Sequence, residues 1–157
     1  MRTIKNIFVI LILIILQIQL GKWMSYKYSP PNLLLIYCVY ISLKKDLLRC
    51  ATAGFFLGLI NDFIGGHIFG LSSLGFICVA TLSNLLKGQL FLKNVIYEIL
   101  LVLAASFIFN WVFIISSYFS SDHLYGISYS MILITSLISP ILFKVFNKYD
   151  IISSRVY

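Results

Sequence analysis

The chain has 157 residues, of which 61% are hydrophobic and only 11% are charged. Soluble domains carry about 25% charged residues, so the composition excludes a soluble globular domain. It predicts an all-α integral membrane protein, in keeping with a mean hydropathy of +1.00. The net charge of +7 is typical of basic turns beside membrane helices. Since no basic soluble face is present, we expect no nucleic-acid partner.

The first apolar segment predicts a membrane helix over about residues 4–20, with Arg2 and Lys5 at its N-terminal end. A signal peptide would begin in the same way, but no small-x-small cleavage site follows this segment. We therefore predict an uncleaved helix. The aromatic residues just beyond it, Trp23, Tyr26 and Tyr28, are typical of a membrane interface.

The second apolar segment, residues 32–43, is short. It has twelve residues, whereas a membrane-spanning helix needs about 20. Pro30 and Pro31 precede it and favour a helix that starts immediately after them. Length alone does not establish this span, but the distribution of charge supports it.

The third and fourth segments cover about residues 47–64 and 68–86 and carry small residues at helical spacing. Gly54, Gly58 and Asp62 are four residues apart, so they lie on one side of a helix. A second pair, Gly66 and Gly70, has the same spacing. Small residues at this spacing let helix backbones approach closely in membranes. We expect the two helices to pack backbone to backbone as a hairpin.

The fifth and sixth segments cover about residues 94–118 and 129–146. They complete a compact bundle of about six transmembrane helices in a single domain, residues 1–157. With six spans, one side of the membrane receives ten of the twelve Lys and Arg residues, and the other receives only Lys22 and Lys27. Basic residues collect on the cytoplasmic side, so we predict that both termini are cytoplasmic.

Asp62 is an acid inside a predicted span. It follows Arg49 by about 20 Å of helix, whereas the hydrocarbon core is about 30 Å thick, so it lies nearer the outer surface than the midplane. Two interpretations are open. Asp62 could end a helix and accept hydrogen bonds from backbone groups of the Gly65–Gly66 turn, which the sequence favours. Alternatively, it could form a polar functional site or a partner contact.

The cysteines do not indicate a chemical site. Cys38, Cys50 and Cys78 all lie in apolar segments and show no metal-binding spacing. Buried free cysteines behave as small hydrophobic side chains. We therefore expect no disulfide and no cysteine ligand.

The other polar candidates predict no catalytic site, cofactor or metal. His67 has no further ligands at a spacing that suits a metal. Asp122 and His123 fall in a predicted solvated turn. Glu98 is expected at the start of the fifth helix, close to Lys93, where an acid is favourable.

Two stretches of the chain combine prolines, glycines and one acid in a recognisable order: "PPNLLLIYCVYISL" and "AGFFLGLINDFIGGHIFGLSSLGF". They resemble the MreD family of rod shape-determining membrane proteins. That family has a Pro-Asp/Asn-Leu-Leu-Leu helix, followed by Gly-x-x-x-Gly-Leu-x-x-Asp and further glycines. The matching positions here are Pro31, Asn32, Gly54, Gly58, Asp62, Gly66 and Gly70. Asn32 stands where the family often carries Asp.

The resemblance implies a fold similar to the six-helix substrate-binding subunits of energy-coupling-factor vitamin transporters. It also implies a non-enzymatic role, without a cofactor, in the bacterial cytoplasmic membrane. The partners it implies are MreC, RodA and a class B penicillin-binding protein beside the MreB filament, together with the lipid bilayer. In that role the protein helps to organise lateral peptidoglycan synthesis and rod shape.

A substrate-binding subunit of such a vitamin transporter is the alternative function. Those subunits carry small residues on the first helix, where the coupling subunit docks. The first segment here, "IKNIFVILILIILQIQL", has neither Ala nor Gly. A scaffold function therefore fits the sequence better than vitamin uptake.

Overall fold

The computed structural model describes residues 2–24, 30–65, 69–87, 95–120 and 129–148. These ranges contain six α-helices and no β-strand, as the composition predicts. Each helix coincides with one predicted segment. The helices are α1 (Arg2–Met24), α2 (Leu33–Lys44), α3 (Leu47–Gly65), α4 (Leu71–Leu86), α5 (Val95–Ser120) and α6 (Tyr129–Lys148).

Helix length separates the six helices into two groups. Within the described residues, α1, α3, α5 and α6 contain segments long and apolar enough to cross a membrane. The other two, α2 with 12 residues and α4 with 16 residues, extend about 18 and 24 Å. A hydrocarbon core of about 30 Å exceeds both lengths. Six helices are present as predicted, but only four of them have the length of a full span.

The short helix α2 forms the centre of the bundle and packs against all five other helices. Residues 33–40 are all buried, and the side chains of Leu34, Ile36 and Tyr37 have no exposure at all. Tyr37 packs edge-on against Phe146 of α6, with ring centroids 5.4 Å apart. A helix that is hydrophobic on every side is expected at such a position.

Side chains from α4 close the C-terminal end of α2. Asn84 Nδ2 donates hydrogen bonds to the backbone carbonyls of Ser42 and Lys45, each at 2.7 Å. Lys87 Nζ donates to the same Lys45 carbonyl at 3.0 Å. The last carbonyls of a helix have no partner within that helix. These donors therefore compensate for the burial of the helix end.

Helices α3 and α4 approach each other at backbone distance. A Cβ atom added to Gly58 would lie 2.3 Å from Ser73 Cα and 2.5 Å from Ser73 N. One added to Gly54 would lie 3.0 Å from the Phe76 carbonyl oxygen. Only glycine permits the separation at Gly58, and the approach at Gly54 is tight. The four-residue spacing of Gly54 and Gly58 therefore corresponds to a contact line between the helices.

Helix α6 contains a proline but keeps the affected carbonyl hydrogen-bonded. Pro140 has no N–H to donate to the carbonyl four residues earlier, which belongs to Ser136. The Ser139 hydroxyl donates to that Ser136 carbonyl at 2.7 Å. The proline is therefore accommodated within a helix that continues to Lys148.

Helix α1 lies at the edge of the bundle. Among residues 6–24, Leu13 is the one buried side chain, at 3% exposure. Phe8 and Ile15, in contrast, are 64% and 59% exposed. In a membrane, such a surface faces lipid or another helix. Helix α1 packs mainly against α2.

Candidate functional site: a polar cluster where α2 and α4 begin

Polar side chains from four helices and one helix cap meet where α2 and α4 begin. All of them are buried except Gln17, which is half-buried. We call this group the polar cluster; it consists of Gln17, Asn32, Asn61, Asp62, Ser72 and Thr135. In an apolar environment, an unpaired buried polar group is costly, so the partners of each member indicate its role.

Asp62, in the last turn of α3, caps the N-terminus of α4. Its Oδ2 accepts a hydrogen bond from the Gly70 backbone N–H at 2.8 Å, and its Oδ1 accepts from the Ser72 N–H at 3.0 Å. The side chain is 1% exposed. A helix N-terminus presents unsatisfied N–H groups and a partial positive charge, and both favour a carboxylate. The position of Asp62 near a helix end was predicted. Its hydrogen bonds within the described residues go to the start of the next helix, whereas Gly66 of the predicted Gly65–Gly66 turn lies outside those residues.

Gly70 explains why α4 needs a cap from another helix. It occupies the N-cap position with φ of +93°, a left-handed conformation that glycine adopts without a steric penalty. An N-cap usually supplies a side-chain oxygen for the first turn, but glycine has none. Asp62 supplies that oxygen instead. The left-handed Gly70 also starts α4 at Leu71, later than the predicted residue 68.

A chain of amide hydrogen bonds joins α4 to the start of α2. Asn61 Nδ2 donates to Ser72 Oγ at 3.0 Å, and Asn61 Oδ1 accepts from Gln17 Nε2 at 3.1 Å. Gln17 Oε1 in turn accepts from the Leu34 backbone N–H at 3.3 Å. Helix α1 is therefore connected to α2 and α3 through one glutamine side chain.

Asn32 is the N-cap of α2. Its Oδ1 accepts from the Leu35 N–H at 3.0 Å, which is the usual hydrogen bond of an asparagine cap. Its own backbone N–H donates to Thr135 Oγ1 of α6 at 3.1 Å. Pro31, just before it, is fully buried. The beginning of α2 is therefore held by its own cap, by α1 and by α6.

The chemistry of the polar cluster is that of helix capping. Each of its polar atoms described above is paired with a backbone group at a helix start or with another member of the cluster. Among the described residues, no group of three or more His, Cys, Asp or Glu side chains could hold a metal ion. Glu98 lies half-buried in the first turn of α5, on a helix that contributes nothing to the cluster.

The structure brings some of the predicted site residues together and not others. Asn32, Asp62 and Gly70 lie at the two helix starts, whereas Gly54 and Gly58 form the contact line between α3 and α4. Four predicted candidates lie outside the described residues: Gly66, His67, Asp122 and His123. Gln17, Thr135 and Asn84 were not predicted as site residues. Each is a polar residue inside an otherwise apolar helix, and this feature of the sequence could have indicated a buried hydrogen bond.

Comparison with known proteins identifies the family. A family model described as rod shape-determining protein MreD matches residues 1–149. The chain belongs to the MreD family. No match was found among curated proteins, and none among solved structures. The expected similarity to energy-coupling-factor subunits therefore stays a prediction.

Membership of the MreD family gives the chain a role in rod-shape determination at a membrane. The structure shows what the motif positions shared with that family contact. Asn32 begins the central helix, Gly58 sets the closest helix contact and Asp62 caps α4. In this MreD-family chain, the motif coincides with the points where the short helices are held in place.

Proposed function

We propose that this chain is a non-enzymatic membrane scaffold of the bacterial cell-elongation machinery. In this proposal it binds the membrane-proximal part of MreC and helps to organise lateral peptidoglycan synthesis, with RodA and a class B penicillin-binding protein as further partners. It resides in the cytoplasmic membrane as a multi-pass protein with both termini in the cytoplasm. The match of the MreD family model to residues 1–149 carries the proposal.

Two structural observations support a scaffold. The buried polar side chains of the cluster hold helix ends, which favours a rigid framework. The described helices also expose large apolar side chains on more than one face, such as Phe8 on α1 and Phe56 on α3, at 64% and 63%. Such faces suit contact with the helices of other membrane proteins. No finding favours the vitamin-transporter alternative.

Depletion and capture together test this function. Depletion in a rod-shaped host should give rounded cells, and MreC should co-purify with the tagged protein from detergent-solubilised membranes. If depleted cells stay rod-shaped but lose uptake of one vitamin, and an ATPase pair co-purifies instead, the chain is a transporter subunit and the scaffold proposal is wrong.

Site-specific photocrosslinking tests whether MreC contacts the outer helix faces. A photoreactive residue replacing Phe8 or Phe56 should capture MreC from at least one of these two exposed positions. Replacements of Leu13 and Leu57, each 3% exposed on the same two helices, are the matched controls and should capture none. Capture of MreC from the buried positions alone would contradict contact through the exposed faces.

A further inference from the structure

Basic side chains surround the point where α2, α3 and α4 meet. Lys44 ends α2 and Lys45 is its C-cap, Arg49 lies in the first turn of α3, and Lys87 follows α4. We call these four residues the basic edge. The hydrogen bonds of Asn84 and Lys87 to the Lys45 carbonyl, at 2.7 and 3.0 Å, bring the end of α4 onto the α2–α3 turn. The four cations therefore come from one small region.

The positive charge of the basic edge is only slightly compensated. The turn between α2 and α3 contains one acid, Asp46, which lies 3.9 Å from Arg49. Both side chains are largely exposed, at 72% for Arg49 and 82% for Asp46, so this pair is weak. In the part of the chain that the structure describes, one carboxylate pairs with one of these four cations, and the resulting net positive surface suits an anion.

Apolar side chains are exposed on the same helix ends as these cations. Leu48 of α3 is 80% exposed and Leu85 of α4 is 67% exposed. Each is within two residues of a member of the basic edge, Arg49 or Lys87. A molecule that combines an anionic head with an apolar tail would therefore contact both kinds of side chain at once, which a free phosphate would not.

We propose that the basic edge binds an anionic phospholipid. Arg49, Lys45 and Lys87 contact the phosphate of its headgroup, and Leu48 and Leu85 contact its acyl chains. Basic pockets between membrane helices recognise such headgroups by charge. This site is separate from the polar cluster, which lies at the opposite ends of α2, α3 and α4. The proposal does not depend on binding of MreC.

The test compares two pairs of charge removals in the purified full chain. The first pair, Lys45→Gln with Arg49→Gln, weakens the basic edge and leaves the hydrogen-bonding Lys87 in place. The second pair, Lys144→Gln with Lys148→Gln, removes the same charge from exposed positions of α6. The α6 pair lies at the same end of the bundle, since Tyr40 Oη donates to Asn147 Oδ1 at 3.1 Å.

Thermal unfolding in detergent with added lipid gives the first measurement. Saturating phosphatidylglycerol should raise the Tm of the unmodified chain and of the α6 pair by roughly 5–10 °C. It should raise the Tm of the basic-edge pair far less. Phosphatidylcholine and the soluble headgroup glycerol 3-phosphate should produce little change in any of the three proteins.

Native mass spectrometry gives a second measurement that does not depend on unfolding, because it counts the lipid that stays bound. Selective loss of phosphatidylglycerol from the basic-edge pair supports the proposal, even if that pair has a lower Tm without lipid. If both double variants lose the same amount of bound phosphatidylglycerol, the attraction is diffuse and the local site is wrong. Equal binding of phosphatidylcholine would overturn recognition of charge. An equal Tm increase with glycerol 3-phosphate would overturn the role of the acyl chains.

Discussion

Asp62 accepts one hydrogen bond on each carboxylate oxygen, and this makes its side chain difficult to replace. Sequence alone suggests that Asp62→Asn is mild, because the amide keeps one acceptor oxygen. In the structure, the amide would keep one bond and place its NH₂ group against the other backbone N–H. We therefore expect Asp62→Asn to lower the free energy of unfolding by about 1–3 kcal/mol. Asp62→Leu should cost more, since it removes both acceptors.

Asp46→Asn is the matched control, because Asp46 is 82% exposed and its one ion pair is weak. Its free energy of unfolding should stay within about 0.5 kcal/mol of the unmodified chain. Thermal or denaturant unfolding in detergent measures all three variants. If Asp62→Leu is as stable as Asp46→Asn, the capping role of Asp62 is wrong.

At the scale of residues, the sequence shows which helices carry polar side chains, but it does not predict the partners of those side chains. Gln17 and Gln19 are both glutamines in the apolar helix α1, yet Gln17 bridges α2 and α3 whereas Gln19 is exposed. Nothing in the local sequence distinguishes them. Their roles depend on which side of α1 faces α2, and this depends on packing between distant parts of the chain.

At the scale of helices, the contact between α3 and α4 should not tolerate a single added methyl group at Gly58. Gly58→Ala places Cβ within 2.3 Å of backbone Cα of Ser73, which cannot move aside as a flexible side chain would. The helices must separate, and overpacking of this kind costs about 1–3 kcal/mol. Unfolding in detergent should show a lower Tm.

Gly21→Ala provides the control for this change. Among the described residues, a Cβ at Gly21 would meet Pro30 Cγ alone, at an ordinary 4.0 Å. Because alanine favours a helix over glycine by up to about 1 kcal/mol, this variant should be as stable as the unmodified chain or more so. Equal Tm values for the two alanine variants would count against the backbone contact.

The hydrogen bonds that close the C-terminal end of α2 can be tested by comparing two buried asparagines, Asn84 and Asn110. Asn84→Ala leaves the carbonyls of Ser42 and Lys45 without the amide donor at a buried helix end, so it should destabilise by about 1–3 kcal/mol. Asn110→Ala is the control, since Asn110 is equally buried but donates to the Ser106 carbonyl of its own helix. That carbonyl already accepts a backbone hydrogen bond within the helix, so losing the Asn110 side chain does not leave it unpaired. A larger loss of Tm from Asn110→Ala would refute the proposed role of Asn84.

The six helices were predictable from apolar segments and from Pro and Gly at their boundaries, because these signals are local. The central position of α2 was not. Its twelve residues are too few for a full span, and residues 33–40 are buried at the centre of the bundle. Burial on all sides depends on the arrangement of the other five helices, which the hydrophobic pattern of α2 alone does not specify.

At the scale of the whole molecule, the charge distribution predicts the orientation in the membrane. Six spans would place ten of the twelve basic residues on one side, and basic residues collect on the cytoplasmic side. On this prediction, a cysteine replacing Ser121 should react with an impermeant thiol reagent from outside the cell. One replacing Gly88 should not. Both belong in a background with Cys78→Ala, because Cys78 is exposed in the structure. Labelling at Gly88 in intact cells would contradict the predicted topology.

The central position of α2 also implies an order of assembly during synthesis. The translating ribosome delivers α2 second, but the backbone N–H of Asn32 bonds to Thr135, which is 103 residues later in the chain. Asn84, which closes the other end of α2, emerges 42 residues after Ser42. A nascent chain that stops after α3 therefore lacks both of these partners. Helix α2 completes its hydrogen bonds only when the last helix arrives, so insertion of α6 finishes the folding of the core.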